Sequence, residues 1–215
     1  RDIDVMQESW SCPYPSINGS QYCIFHIHPQ LRRSAFPTQE QRASQYRSAI
    51  ASTGVIQIVC SNIGSIDLSN VLSYLNPNYE VQIGFSTIYG ELDLENTDIQ
   101  NKVVIEDCRI GQLNAQSSTF EANTRINNSF VHSCSLSGAV FQQRFQSVNT
   151  EYVNADFIES KFDKNASFCA SMGDSTPISK VETKLGRRGS HFHNTAQFMG
   201  SEFRGGAIFA GTTFD

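Results

Sequence analysis

The sequence predicts an all-β chain. From about residue 55 to the C-terminus it reads as a parallel β-helix, preceded by a small Cys/His segment and one capping helix within residues 1–54. Three observations predict this. Large apolar residues recur every five or six positions. A small residue stands two positions before most of them. Where the large residue is missing, its neighbour two positions earlier is large instead.

The spacing carries the most weight, because self-similarity at a fixed step is the mark of a repeat architecture. The stations run Ile83, Ile88, Leu94, Ile99, Ile105, Ile110, Ala115, Phe120, Ile126, Val131, Leu136, Phe141, Ser147, Tyr152, Phe157, Phe162 and Phe168. Only Ala115 and Ser147 are not large and apolar. A helix needs spacings of three and four, and a half-buried strand needs two. A step of five or six implies a short strand and a turn at each station. Residues two apart on extended chain share a face. The inward partners are therefore Ser86, Thr97, Cys108, Ser118, Thr124, Ser129, Cys134, Ala139, Thr150, Ala155, Ser160 and Ala166. At the weak stations the partners are Leu113 and Phe145, a swap that conserves volume in a close-packed interior. The pattern extends back to Ile58, Ile63 and Leu68 and forward through Phe192, Phe198, Phe203, Phe209 and Phe214. Val71–Tyr79, with Pro77, blurs it and is expected to form a loop or bulge. Residues 171–189, rich in Gly, Pro and charge, are expected to form an inserted loop.

These units resemble the pentapeptide-repeat family, whose repeat is a small residue, a polar residue, Leu or Phe, and two more polar residues. The resemblance covers roughly 130–140 residues and implies a four-sided, right-handed β-helix with one unit per side. It also implies columns of stacked side chains such as Ile99, Phe120, Phe141 and Phe162. Such a solenoid is quasi-one-dimensional and needs caps. Thr38, Gln41 and Gly54 bracket residues 38–51 as a helix with a capping box and a C-terminal stop, suited to cover the first coil. The chain opens on Arg1 and closes in mid-pattern at Asp215, so a piece of a longer protein, or Met6 as a native start, is expected.

Residues 1–31 carry Trp10 and the cluster Cys12, Cys23 and His26, the best candidate for chemistry. Two thiolates and an imidazole suit one structural zinc, for which His28 or Cys60 offers a fourth ligand. The alternative is that the cysteines are unligated or disulfide-linked. The Trp-x-Cys-Pro…Cys-Ile-Phe-His segment is similar to the N-terminal part of archaeal members of the family. Cys108 and Cys134 are expected as small core residues, and Cys169 as an outward thiol. His191 and His193 flank Phe192 and are expected at the surface. Asn127-Asn-Ser and Asn165-Ala-Ser match a glycosylation sequon that Asn/Ser-rich turns also produce by chance.

The formal net charge is −5, which argues against a general nucleic-acid binder. Acids on the outward positions are scattered. The column Thr87, Arg109, Phe130, Glu151 shows no stripe of one sign. No run of about 18 apolar residues spans a membrane, and unpaired cysteines favour the cytoplasm. No catalytic constellation stands out. The function expected is a non-catalytic scaffold for a protein partner, with homodimerisation as an option. One alternative is the acidic DNA mimic that some members of the family provide against topoisomerases. Another is a β-helix enzyme acting on polysaccharide.

Overall fold

The computed structural model describes residues 12–17, 20–72, 75–169 and 189–215. Trp10 and nearly all of the expected 171–189 insert lie outside them. The architecture is a parallel β-solenoid with three helices among the described residues.

The coil is set by pairing register. One sheet stacks Ile56–Val59, Val81–Gly84, Val103–Glu106, Thr124–Asn127, Phe145–Val148, Ala166–Cys169 and Ala207–Ile208, all parallel, one strand per coil. Val103 pairs with Thr124, Thr124 with Phe145, and Phe145 with Ala166, so the central coils advance by 21 residues. That is four units, three of five residues and one of six.

The second sheet shows why the coil has four sides although three sheets form. In the first coil Asn62–Ile63 and Ile66–Asp67 are separate strands, and both pair with the single strand Thr87–Asp93 of the next coil. That strand therefore turns a corner, and its register shifts between Ile88 and Glu91. Arg109–Asn114, Phe130–Ser135, Glu151–Asp156 and His191–Gln197 continue the bent stack. A third sheet holds Asp98–Ile99, Thr119–Phe120, Val140–Phe141, Lys161–Phe162 and Glu202–Phe203.

All 17 stations from Ile83 to Phe168 are buried, as are the small partners two positions before them. Both volume swaps are present: Leu113 is buried beside Ala115, and Phe145 beside Ser147. Ser147 does more than leave room. Its hydroxyl lies 2.9 Å from the Tyr152 phenol oxygen and 3.2 Å from Ser190 Oγ, so a polar group entering the core finds partners there. The column Phe120, Phe141, Phe162, Phe203 stacks ring on ring at 4.7 to 4.9 Å. That spacing is the rise of one coil.

Two corners need backbone that L-residues rarely adopt. Positive φ falls at Phe85, Asp107, Asn128 and Asn149 on one corner and at Asn96, Ser117, Gly138, Glu159 and Gly200 on another. The recurrence at coil spacing marks turns whose third residue must be left-handed.

The N-terminal segment closes the first coil. Helix α1, Pro29–Ala35, was not expected from the sequence. Helix α2, Gln39–Thr53, carries the expected capping box between Thr38 and Gln41 and ends on Gly54 at φ 67°. Its Tyr46 and Ile50 join one core cluster with Tyr14, Phe25 and the ladder. A short helix α3, Ser69–Leu72, runs into the Val71–Tyr79 stretch and buries Val71 and Leu72. Asn101 then donates to the Asn76 and Tyr79 carbonyls at 2.8 Å and holds the loop to the next coil.

Candidate functional site

The cap places Cys12, Cys23 and His26 together. Ser16 bridges Cys23 in antiparallel fashion, and a turn returns the His26 amide to the Cys23 carbonyl at 3.1 Å. Cys12 Sγ lies 3.4 Å from Cys23 Sγ, and Cys23 Sγ lies 3.1 Å from His26 Nδ1. The three donor atoms lie within 4.8 Å of one another. Two sulfurs held about 2.3 Å from a tetrahedral zinc stand somewhat under 4 Å apart, so the donors are close to the separation such an ion needs.

The environment orients them. His26 Nε2–H donates to the Val59 carbonyl at 2.7 Å. That bond fixes the tautomer and leaves Nδ1 facing the thiols. A metal-bound histidine characteristically donates its other nitrogen to a carbonyl or carboxylate in this way. Burial alone would raise the Cys23 thiol, but its hydrogen bonds with His26 and Cys12 and the His26 charge bring it below the ordinary value. The bond to Cys23 raises His26 above its own. Burial pushes Cys12 up to about 11, partly offset by the Tyr14 backbone and reinforced by Cys23. Each of Cys23 and His26 therefore favours the charged form of the other, while burial favours the neutral thiol at Cys12.

Neither expected fourth ligand joins the cluster. His28 is the N-cap of α1, its Nδ1 accepting from the Gln30 amide at 3.3 Å. Cys60 is exposed at a coil corner with φ 53°. Both corrections have one cause: local backbone needs placed these residues, and spacing could not show it. Cys108 and Cys134 are buried in the ladder as expected. Cys169 is partly exposed.

A second group forms where only a surface pair was expected. The His191 and His193 rings stack at 4.0 Å. Asp215 Oδ2 lies 2.6 Å from His191 Nε2 and 3.6 Å from His193 Nδ1, and Glu151 Oε2 lies 3.5 Å from His193 Nε2. Asp215 was missed because it belongs to the next coil. Thr213 pairs with His191 and Phe214 with Phe192, and Glu151 pairs with His191 on the other side, a register that the unit count alone does not give across residues 171–189.

The class defined by this geometry is a parallel β-solenoid with a thiol-imidazole cluster in its N-terminal cap. Comparison with known protein families, with curated proteins and with solved structures returned no match. Among the described residues, no helix is long and apolar enough to cross a membrane.

Proposed function

We propose that the chain is a non-catalytic binding module of the pentapeptide-repeat type, whose cap is clamped to the first coil by one zinc ion held by Cys12, Cys23 and His26. The observation that supports this is the His26 bond to Val59. Val59 belongs to the first coil, so a metal on Nδ1 would tie the cap to the solenoid through one imidazole. The zinc would supply folding energy rather than chemistry. The repeat supports the module reading, because the inward face is used for packing and the outward faces are regular sides suited to a partner.

Native mass spectrometry of protein purified without added zinc tests the clamp. One zinc per chain is expected, lost in Cys12→Ser and Cys23→Ser and kept in His191→Ala, which separates the cap from the His191 group. Zinc retained in Cys12→Ser, or absent throughout, overturns it. Photo-crosslinking residues placed in turn on each of the four sides test the module. Saturable adducts confined to one side support it, and no adduct from any side overturns it. A groove lined by Lys102, Arg125, Arg144 and Lys164 disfavours the acidic-mimic alternative.

A further inference from the structure

A groove of about 520 Å³ runs along one corner of the solenoid, beside the first sheet. Lys102, Arg125, Arg144 and Lys164 line it, with Asn123, Gln143, Gln146 and Asn165 between them. No carboxylate is among its lining residues, although the chain as a whole carries −5. All four cations are exposed. Lys102, at one end, is shared with Glu80 at 2.6 Å. Arg125 meets the Gln146 side-chain oxygen at 3.4 Å. Among the described residues, Arg144 and Lys164 have no carboxylate within ion-pair distance.

The arrangement is periodic as well as positive. Lys102 immediately precedes Val103–Glu106, and Arg125 lies in Thr124–Asn127. Arg144 precedes Phe145–Val148, and Lys164 stands two before Ala166–Cys169. Each of four successive coils therefore contributes one cation. At a coil rise of about 4.8 Å they are spread over roughly 14 Å of the solenoid axis. Four like charges in one trough repel one another, and a bound polyanion relieves that cost.

We infer that this groove binds an acidic polysaccharide, a chain of sugar units carrying regularly repeated carboxylate or sulfate groups, laid along the solenoid axis. One cation from each of four successive coils suits a polymer that carries repeated anions. The arginine forks suit planar carboxylate and sulfate oxygens. The four amide side chains supply donors and acceptors for hydroxyls. Single-stranded nucleic acid is the weaker fit, because its binding sites add aromatic stacking platforms and none lines this groove. An acidic peptide is weaker too, because the lining offers no apolar pocket for an anchoring side chain. Gly205 closes the far end, where its backbone passes so close to Lys164 that a Cβ would stand 2.3 Å from a backbone atom. The inference goes beyond the protein-partner reading and stands apart from it.

The test is binding of polygalacturonate and dextran sulfate to the full chain by calorimetry. Neutral dextran, oligo-dT and poly-glutamate serve as comparison ligands. At least one acidic glycan is expected to bind, and neutral dextran is not. Affinity should fall as salt rises from about 50 to 200 mM. Arg125→Gln/Arg144→Gln should weaken glycan binding about tenfold or more with an unchanged melting temperature. Arg109→Gln, on another side over the Phe130 ring, should leave binding unchanged. If neither acidic glycan binds, or if Arg125→Gln/Arg144→Gln binds as well as wild type, the proposal is overturned. Tighter binding of oligo-dT or poly-glutamate than of both glycans also overturns it, in favour of nucleic acid or an acidic peptide. The cross-linking test of the module surveys all four sides, so either reading can fail while the other stands.

Discussion

Ser117 and Glu159 sit at corners with φ of 55° and 57°, a conformation that costs an L-residue about 1–2 kcal/mol and that glycine adopts freely. Gly138 already occupies the equivalent place one coil from each, at φ 68°. Ser117→Gly and Glu159→Gly are therefore expected to stabilise the protein in urea by up to about 1 kcal/mol each, after the extra freedom of the unfolded chain is charged against them. Gly138→Val should cost about 2 kcal/mol, and the cause would be strain rather than crowding, because a Cβ there meets nothing nearer than Ser117 Oγ at 3.5 Å. At the same scale, Cys23 and His26 give a pH prediction for metal-free protein. Cys23 is lowered, so its contribution is present above the unfolded thiol value and lost as pH falls through the folded one. His26 is raised, so its contribution is present below the unfolded imidazole value and lost as pH rises through the folded one. Thiolate absorbance should accordingly show one early-titrating cysteine. That early step should be absent in Cys23→Ser and shifted to higher pH in His26→Ala; a titration unmoved by His26→Ala would rule the pairing out. The three donors were legible in the sequence because soft ligands cluster there. The roles of His28 and Cys60 were not, since a cap bond and a left-handed corner are properties of backbone path.

At the scale of elements, α2 was legible because three independent signals agreed: a capping box, helix-forming residues and a glycine stop. Thr38→Ala removes the side-chain acceptor for the Gln41 amide and should cost about 1 kcal/mol in thermal or urea unfolding. Helix α1 was illegible for a physical reason. Its one buried residue is Arg32, which donates to the Asn62, Phe25 and Ile27 carbonyls, so no apolar period announces it. The ladder units were the most legible element, and their compensating pairs are testable. Ala115→Leu places a second large side chain beside Leu113 and should destabilise by about 1–3 kcal/mol through overpacking. Adding Leu113→Ala to it restores the usual small-then-large order and should recover much of that loss. A double variant no more stable than Ala115→Leu alone would show that the pair does not share one volume.

For the whole molecule, stacked coils imply that stability is a sum over neighbours. The coils from Val103–Glu106 to Ala166–Cys169 have packed neighbours on both sides, whereas Ile208, Phe209 and Phe214 are 47%, 37% and 55% exposed. Hydrogen exchange should therefore be slowest between about residues 103 and 168, and the strands Ala207–Ile208 and Thr213–Phe214 should exchange first. Uniform protection across all coils would contradict this. The solenoid was readable from sequence because its period is written in large apolar residues. The cationic groove was not, because Lys102 and Arg144 share a column with Asn123 and Asn165, while Arg125 stands two positions along and Lys164 one position back. No single column shows the charge, and only the folded corner gathers it.

The cap has a further consequence for the first coil. On a strand, alternate residues turn their backbone groups to opposite edges, and the even-numbered residues Ile56 and Ile58 serve the next coil. The odd-numbered ones face outward along the axis, where a strand from any other molecule could add. Side chains already hold three of those groups. The Tyr14 hydroxyl bonds the Val55 carbonyl at 3.2 Å and accepts from the Gln57 amide at 2.8 Å, and His26 takes the Val59 carbonyl. An arriving strand finds its template occupied, so this end of the solenoid is protected against fibril-like growth by two residues of the chain's own first segment.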